Sequence, residues 1–230
     1  MKGLRLGVLT SYVNHTLDDS SLQVSNLFAE TCQKLSAQGV QLIEFDNTAF
    51  HPLNLARAEV QLYEMQDSFT EYLASATHPN FPSLNEISTS GLVDEIAVGP
   101  TWPLSLLPEM STTSPEYHAR LHRIAHLKLS LAKTFADLNL DGIIYPHQTI
   151  LVVKAGATFQ PGRNGLLTSL TGTPGVVVPM GFSRQTEEAV QGVPIGMEVI
   201  GLWGDDWKVL DIAERIERVL DARKEPLLFR

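Results

Sequence analysis

The sequence lacks the features that mark several large classes of protein. It has one cysteine, Cys32, among 230 residues, so it cannot form an internal disulfide, and a reducing compartment such as the cytoplasm is expected. No apolar run approaches the roughly 20 residues that a membrane-spanning helix requires. A strand-like segment follows almost directly on Met1, which predicts that no signal peptide is present. We therefore expect a cytoplasmic globular protein without a membrane partner.

Positive charge is also scarce. There are 17 Lys and Arg residues against 26 Asp and Glu residues, which gives a net charge of −9. Because binding to a phosphate backbone requires clustered basic side chains, this composition argues against a nucleic-acid partner. Hydrophobic residues make up 43% of the chain, enough to bury a sizeable core. We expect a single domain over residues 1–230 that acts on a small neutral or cationic molecule.

Short strand-like runs alternate with longer helical ones, which predicts an α/β fold. Strands are predicted at Leu4–Leu9, Val40–Phe45, Gly142–Tyr145, Gly175–Pro179 and Ile195–Leu202. Helices are predicted at Ser20–Gln38, at Leu55–Ala76, from Ser83, from Ser114 to about Asn139, and after a capping pair at Asp205 and Asp206. A long loop is predicted between Ala97 and Thr113, and another from Pro146 to Gly165. The expected architecture is a mixed β-sheet of about five strands flanked by helices.

Gly and Pro residues recur at fixed offsets between Ser169 and Asp206. The segment reads SLTGTPGVVVPMGF and, after a polar insert, GVPIGMEVIGLWGDD. This pattern resembles the C-terminal end of the amidase signature enzymes, in which N-L-T-G-x-P-A-x-x-V-P-x-G precedes G-x-P-x-G-x-Q-x-x-G. The sequence departs from it at Ser169, Gly175 and Glu198, where the family has Asn, Ala and Gln. The resemblance implies the later half of the amidase signature fold.

The chemistry of that family uses a Lys, a bridging Ser and a nucleophilic Ser in a Gly/Ser-rich core. The 230 residues contain no Gly-Gly-Ser-Ser-Gly-like stretch. One hypothesis is therefore an enzyme that performs acid–base chemistry (cyclisation, isomerisation or elimination) on a metabolite in the former amidase cleft. The alternatives are a pseudo-amidase or binding subunit, which a separately encoded partner would complete, and a residual hydrolase of C–N bonds. A surface left uncovered by the missing core also predicts a homodimer.

His147 is the leading catalytic candidate. It follows the strand Gly142–Tyr145, at the strand end where α/β sheets bind ligands, and an imidazole titrates near neutral pH. The resemblance implies that the loop beyond it lines the substrate cleft. Gln148 and Lys154 are therefore candidate substrate-binding residues, together with Ser169 at the motif's Asn position. The alternative is a surface histidine without a catalytic role.

Glu198 is the second catalytic candidate. A carboxylate inside an apolar strand must face solvent, be paired or have a perturbed protonation, because burying an unpaired charge is costly. If it faces the cleft, Glu198 can serve as a general acid or base. The alternative is a structural salt bridge to an arginine. Tyr145, in the neighbouring predicted strand, is a further candidate for substrate binding.

Three histidines lie on one predicted helix, at positions 118, 122 and 126. His118 and His122 are spaced to ligate one ion together. His126 would lie about 12 Å from His118 along the helix, too far to share that ion. No third ligand is close in sequence, so we expect neither a metal ion nor another cofactor.

Overall fold

A computed structural model describes residues 1–13, 18–75, 80–94, 98–99, 101–157 and 159–225. The chain divides into two compact units. The first unit comprises Met1–Leu55, Leu127–Val152 and Pro161–Arg230, and the second comprises Ala56–His126 and Val153–Gln160. His147 and Glu198 both belong to the first unit. The single domain expected from the sequence stays a prediction.

The first unit is built on a mixed sheet. Its strands in the described residues are β1 (Arg5–Leu9), β2 (Gln41–Phe45), β3 (Gly142–Pro146), β4 (Gly175–Phe182) and β5 (Pro194–Ile200). Their spatial order is β2-β1-β3-β5-β4. Strand β1 is parallel to β2 and β3, whereas β5 is antiparallel to both β3 and β4. The predicted mixed five-stranded sheet is therefore confirmed.

The helices described in the chain agree with the predicted α/β pattern. In chain order they are α1 (Asp19–Ala37), α2 (Pro52–Ala56), α3 (Gln61–Ala74), α4 (Leu84–Thr89), α5 (Thr101–Ser105), α6 (Pro115–Leu138), α7 (Leu166–Thr171) and α8 (Asp206–Leu220). None of them is both long enough and apolar enough to cross a bilayer. Short 3-10 turns occur at Thr10–Tyr12 and Thr48–Phe50.

Side-chain caps explain where several helices begin. Asp18 accepts a hydrogen bond from the backbone nitrogen of Ser21 at the start of α1. Ser83 caps α4 in the same way, as its spacing predicted. The cap expected from Asp205 at the start of α8 is not formed. Its carboxylate accepts a hydrogen bond from the backbone nitrogen of Leu202 instead, at 3.3 Å.

The long helix predicted at Leu55–Ala76 is divided into α2 and α3, and Ala76 lies outside the described residues. Arg120 donates to the backbone carbonyls of Ala56 and Glu59 at this break, and Arg123 donates to that of Arg57. These bonds satisfy carbonyl groups that a continuous helix would have paired internally.

Two further helices were not predicted from the sequence. Helix α5 lies inside the Ala97–Thr113 segment, of which Ala97 and Pro100 are outside the described residues. Helix α7 directly follows the predicted loop that ends at Gly165. Both helices have six residues or fewer, so their apolar periodicity is too short to be recognised in the sequence.

The sheet contributes to two apolar cores. Ile144 of β3 joins a core that includes buried residues of α1 and α8. Ile143 and Tyr145 of the same strand join a second core, which includes Leu131 and Phe135 of α6. Alternate residues of a strand point to opposite faces, so one strand serves both cores.

Candidate active site

The candidate site lies where β3 ends beside β5. Tyr145 is paired with Glu198 across these strands, and the backbone nitrogen of His147 donates to the carbonyl of Gly196 at 3.0 Å. This register places Tyr145, His147 and Glu198 on the same side of the sheet. His147 Nδ1 lies 2.8 Å from Glu198 Oε2. The two catalytic candidates therefore form a hydrogen-bonded pair.

The pair joins a buried carboxylate to a partly exposed imidazole. Only 4% of the Glu198 side chain is exposed, against 37% of His147. A buried carboxylate needs hydrogen-bond donors for both oxygens, and the second one, Oε1, accepts from Thr168 Oγ1 at 2.9 Å. Among the described residues the partners of Glu198 are thus His147 and Thr168, and not the arginine considered from the sequence.

Two glycines leave space for this cluster. A Cβ atom at Gly175 would lie 3.0 Å from Glu198 Oε1 and 3.0 Å from Thr168 Cγ2. A Cβ atom at Gly165 would lie 3.1 Å from His147 Cε1. Gly175 and Glu198, two of the three departures from the amidase signature motif, are therefore neighbours. A side chain at position 175 would be in tight contact with the carboxylate at position 198.

Two buried tyrosines lie near the Glu198 carboxylate. Tyr145 and Tyr12 have no exposed surface, and their rings pack edge to face with centroids 4.8 Å apart. Burial, and after it the negative charge of Glu198, raises the pKa of both phenols well above the ordinary value. Neither hydroxyl has a hydrogen-bond partner of good geometry within the described residues. Tyr145 is thus a core residue beside the site, and its part in substrate binding stays a prediction.

A small cavity of about 310 Å³ adjoins His147. Apart from His147 and Gln148 its lining is mostly apolar and comprises Ile150, Leu151, Val152, Val177, Pro194, Ile195 and Gly196. Val177 and Val152 keep about half of their surface exposed, 48% and 56% respectively. The cavity therefore offers an apolar surface next to a titratable imidazole.

The other predicted binding residues lie in different surroundings. Gln148 lines the cavity and forms an isolated β-bridge with Arg163. Ser169 is exposed on α7, and its hydroxyl donates to the carbonyl of Gly165 at 3.0 Å. Lys154 is an exposed residue of the second unit. Substrate binding by these three residues stays a prediction.

Two residues of the cluster were not predicted from the sequence. Thr168 lies on the unpredicted helix α7, so no pattern indicated its contact with Glu198. Asn164 is buried, and its side-chain amide donates to the carbonyls of Tyr12 and Pro146 at 3.0 and 2.7 Å. The backbone nitrogen of Asn164 also donates to the carbonyl of His147 at 3.0 Å. Asn164 thereby fixes the backbone that carries the imidazole.

Metal binding finds little support in the described residues. None of them forms a group of three or more His, Cys, Asp and Glu side chains placed to hold an ion. His118 and His122 are exposed side chains of α6. The absence of a metal or other cofactor stays a prediction.

The sequence matches the family model named Amidase over residues 1–210. The chain belongs to the amidase family. It is 31% identical to the mandelamide hydrolase of Pseudomonas putida, over 98% of this chain and 45% of that enzyme. It is 25% identical to the indoleacetamide hydrolase of Agrobacterium vitis, over 98% of this chain and 49% of that enzyme. The resemblance inferred from the sequence motifs is therefore confirmed.

Solved structures agree with this assignment at the level of the fold. The peptide amidase of Stenotrophomonas maltophilia matches with a TM-score of 0.71 and 19% sequence identity. The match covers 98% of this chain and 45% of that one. The chain thus spans about half the length of the curated and solved relatives it matches.

Proposed function

We propose that this chain takes part in the hydrolysis of a carboxamide C–N bond, with His147, hydrogen-bonded to Glu198, as the group that transfers a proton. The observation that carries the proposal is the 2.8 Å contact between His147 Nδ1 and the buried Glu198 carboxylate, in a protein of the amidase family. The contact occupies one ring nitrogen and leaves Nε2 for proton exchange, as a general acid–base group requires.

The reaction needs proton transfer at two atoms. Hydrolysis of a primary amide consumes one water and yields a carboxylic acid and ammonia. The attacking oxygen loses a proton, and the amide nitrogen gains one as the C–N bond breaks. In this proposal the His147 imidazole mediates one of these transfers. A segment that carries the family's Ser-Ser-Lys group, which the 230 residues do not contain, supplies the nucleophile.

The proposed substrate is a small primary amide with an aromatic acyl group. The names of the two relatives, mandelamide hydrolase and indoleacetamide hydrolase, indicate substrates of this kind for those enzymes. The apolar cavity of about 310 Å³ beside His147 is at the small end of the range of ligand sites. An aromatic group in contact with Val177 and Ile150 would bring its amide towards the imidazole.

Cyclisation, isomerisation or elimination of a metabolite would use the same proton-transferring pair. We favour C–N hydrolysis because the relatives are named as amide hydrolases and the pair suits that reaction equally well. We further propose a cytoplasmic location. For the assembly we propose a homodimer, or a complex with a separate chain that completes the site. Sedimentation of the purified chain, alone and with a Ser-Ser-Lys-bearing partner, would distinguish these assemblies.

Reconstitution tests the proposed activity. The chain is co-expressed with the part of the Pseudomonas putida mandelamide hydrolase that lies outside the region of similarity. Ammonia release from mandelamide and indoleacetamide is then measured for the mixture and for each component alone. We expect release that requires both components and that is lost when the nucleophilic serine of the added part is replaced by alanine.

A second experiment tests binding without reconstitution. Mandelamide is titrated into the purified chain by calorimetry, and mandelic acid and acetamide serve as comparison ligands. We expect binding of mandelamide to be weakened by Val177→Trp, which fills the cavity, and to be unaffected by Val190→Trp at another exposed valine. Absence of both mandelamide binding and ammonia release would contradict the proposed function.

A further inference from the structure

We propose that Thr168 is a positioning residue, which through Glu198 fixes the imidazole of His147 in the tautomer with its proton on Nδ1. The inference rests on the proposed function only for the role of Nε2 in proton exchange. The contacts themselves form a chain of two hydrogen bonds, from Thr168 Oγ1 to Glu198 Oε1 at 2.9 Å and from His147 Nδ1 to Glu198 Oε2 at 2.8 Å.

The carboxylate is the acceptor in both contacts. An ionised carboxylate can only accept, so the hydroxyl of Thr168 and a ring nitrogen of His147 must both donate to it. The proton at Nδ1 then determines that the neutral imidazole carries its lone pair on Nε2. Tyr145 and Tyr12, the other titratable groups around this carboxylate, keep their protons because of burial, as the raised pKa of each phenol indicates.

Thr168 has two acceptors within reach of its single hydroxyl proton. Glu198 Oε1 lies at 2.9 Å, and the backbone carbonyl of Gly165, one helical turn earlier, lies at 3.2 Å. The carboxylate is both nearer and charged, and charge-assisted hydrogen bonds are the stronger ones. We therefore assign the proton to the bond with Glu198.

The surroundings leave the carboxylate little freedom. The Cβ distances at Gly175 show that Oε1 and the Thr168 methyl group lie close against the backbone of β4. Loss of the Thr168 hydroxyl would leave Oε1 without its donor in a site that is 3% exposed. A rotated carboxylate would then be lower in free energy than the present one. Its rotation would weaken the hydrogen bond from Nδ1.

Nitrogen-15 NMR of the histidine rings tests the inference independently of any reaction. The spectra are recorded for the unaltered chain and for Thr168→Val, Thr168→Ser and Thr171→Val, and the His147 signals are assigned by comparison with His147→Gln. Thr171 is a matched control because it is buried on the same helix but bonds to Leu167 and Thr173.

The expected result is a His147 ring with its proton on Nδ1 in the unaltered chain, in Thr168→Ser and in Thr171→Val. Thr168→Val should move the ring towards a mixture of tautomers. In the reconstituted assay, Thr168→Val should lower kcat with little change in KM. We expect a decrease of about 10- to 100-fold, by analogy with the loss of groups that orient metal-ligating histidines. Thr168→Ser should restore the activity.

Two outcomes would overturn the inference. One is an unchanged Nδ1–H tautomer in Thr168→Val with native thermal stability, and the other is a proton on Nε2 in the unaltered chain. If the tautomer behaves as expected but no amide is hydrolysed by any form of the protein, the proposed function fails and the positioning role of Thr168 stands.

Discussion

Strand β5 presents two different faces to the molecule. Met197 and Val199 are fully buried in the apolar core that includes residues of α1 and α8. Glu198, between them in sequence, points to the opposite face and is bonded to His147 and Thr168. The apolar face stabilises the fold by burial alone, whereas burial of Glu198 is costly without its two donors. One face of β5 thus contributes to the apolar core, and the other carries the carboxylate of the proposed proton-transferring pair.

The largest expected effect is on the polar face. We expect His147→Ala to lower kcat/KM for amide hydrolysis in the reconstituted assay by about 10²–10⁴-fold, the usual loss for one general acid–base group. The melting temperature should also fall, because the buried Glu198 carboxylate loses one of its two donors, so the assay is run at a temperature at which both proteins are folded. His126→Ala, at an exposed histidine of α6, is the matched control. Full activity of His147→Ala would remove this residue from the mechanism.

On the apolar face the expected effect is on stability. Ile216 of α8 is fully buried in the core with Met197 and Val199. We expect Ile216→Ala to lower the free energy of unfolding by about 2–5 kcal/mol, from lost burial and the cavity that remains. Urea unfolding measures this change, and the NMR signals of His147 should be unaltered. A shift of the His147 tautomer would show that the two faces are coupled.

Cys32 of α1 provides a titratable group beside the apolar core. Burial, and after it the negative charge of Glu44, raises the pKa of its thiol to about 11. Only the thiolate reacts with iodoacetamide, so alkylation at pH 8 should be at least about 100-fold slower in the folded chain than in urea. The rate should rise with pH up to about 11. Equal rates in the two states would show that the Cys32 thiol is accessible to the reagent in the folded chain.

The smallest expected effect concerns Tyr145, the core residue on the polar face. Because its hydroxyl is buried without a well-formed hydrogen bond, Tyr145→Phe should leave the free energy of unfolding at pH 7 almost unchanged. The raised pKa of the phenol means that the folded state keeps a proton that the unfolded chain releases above about pH 10. Stability of the unaltered chain therefore falls as pH rises past 10.

Tyr145→Phe removes this contribution, so the variant should be more stable than the unaltered chain at pH 11, by about 1 kcal/mol. Urea unfolding at pH 7 and pH 11 provides the comparison, and Tyr72→Phe, at an exposed tyrosine, is the control. Marked destabilisation of Tyr145→Phe at pH 7 would show that the hydroxyl is bonded to Glu198 in solution.

The five strands were predictable from the sequence because they are short and mostly apolar, and three of them, β3, β4 and β5, begin or end at Gly or Pro. It also indicated His147 and Glu198 separately, one from its place after a strand and the other as a charge within an apolar run. Their pairing was not predictable, because it depends on the antiparallel register of β3 and β5 across 51 residues of sequence. Thr168 was missed because α7 is too short to show helical periodicity.

The central claim is that the His147–Glu198 pair adjoins the amide-binding site. The most direct measurement is nitrogen-15 NMR of His147 during titration with mandelamide. We predict that the free chain has its proton on Nδ1, that the Nε2 resonance shifts as the amide saturates the protein, and that Val177→Trp prevents this shift while His126 is unaffected throughout. A His147 spectrum that saturating mandelamide leaves unchanged would contradict the account.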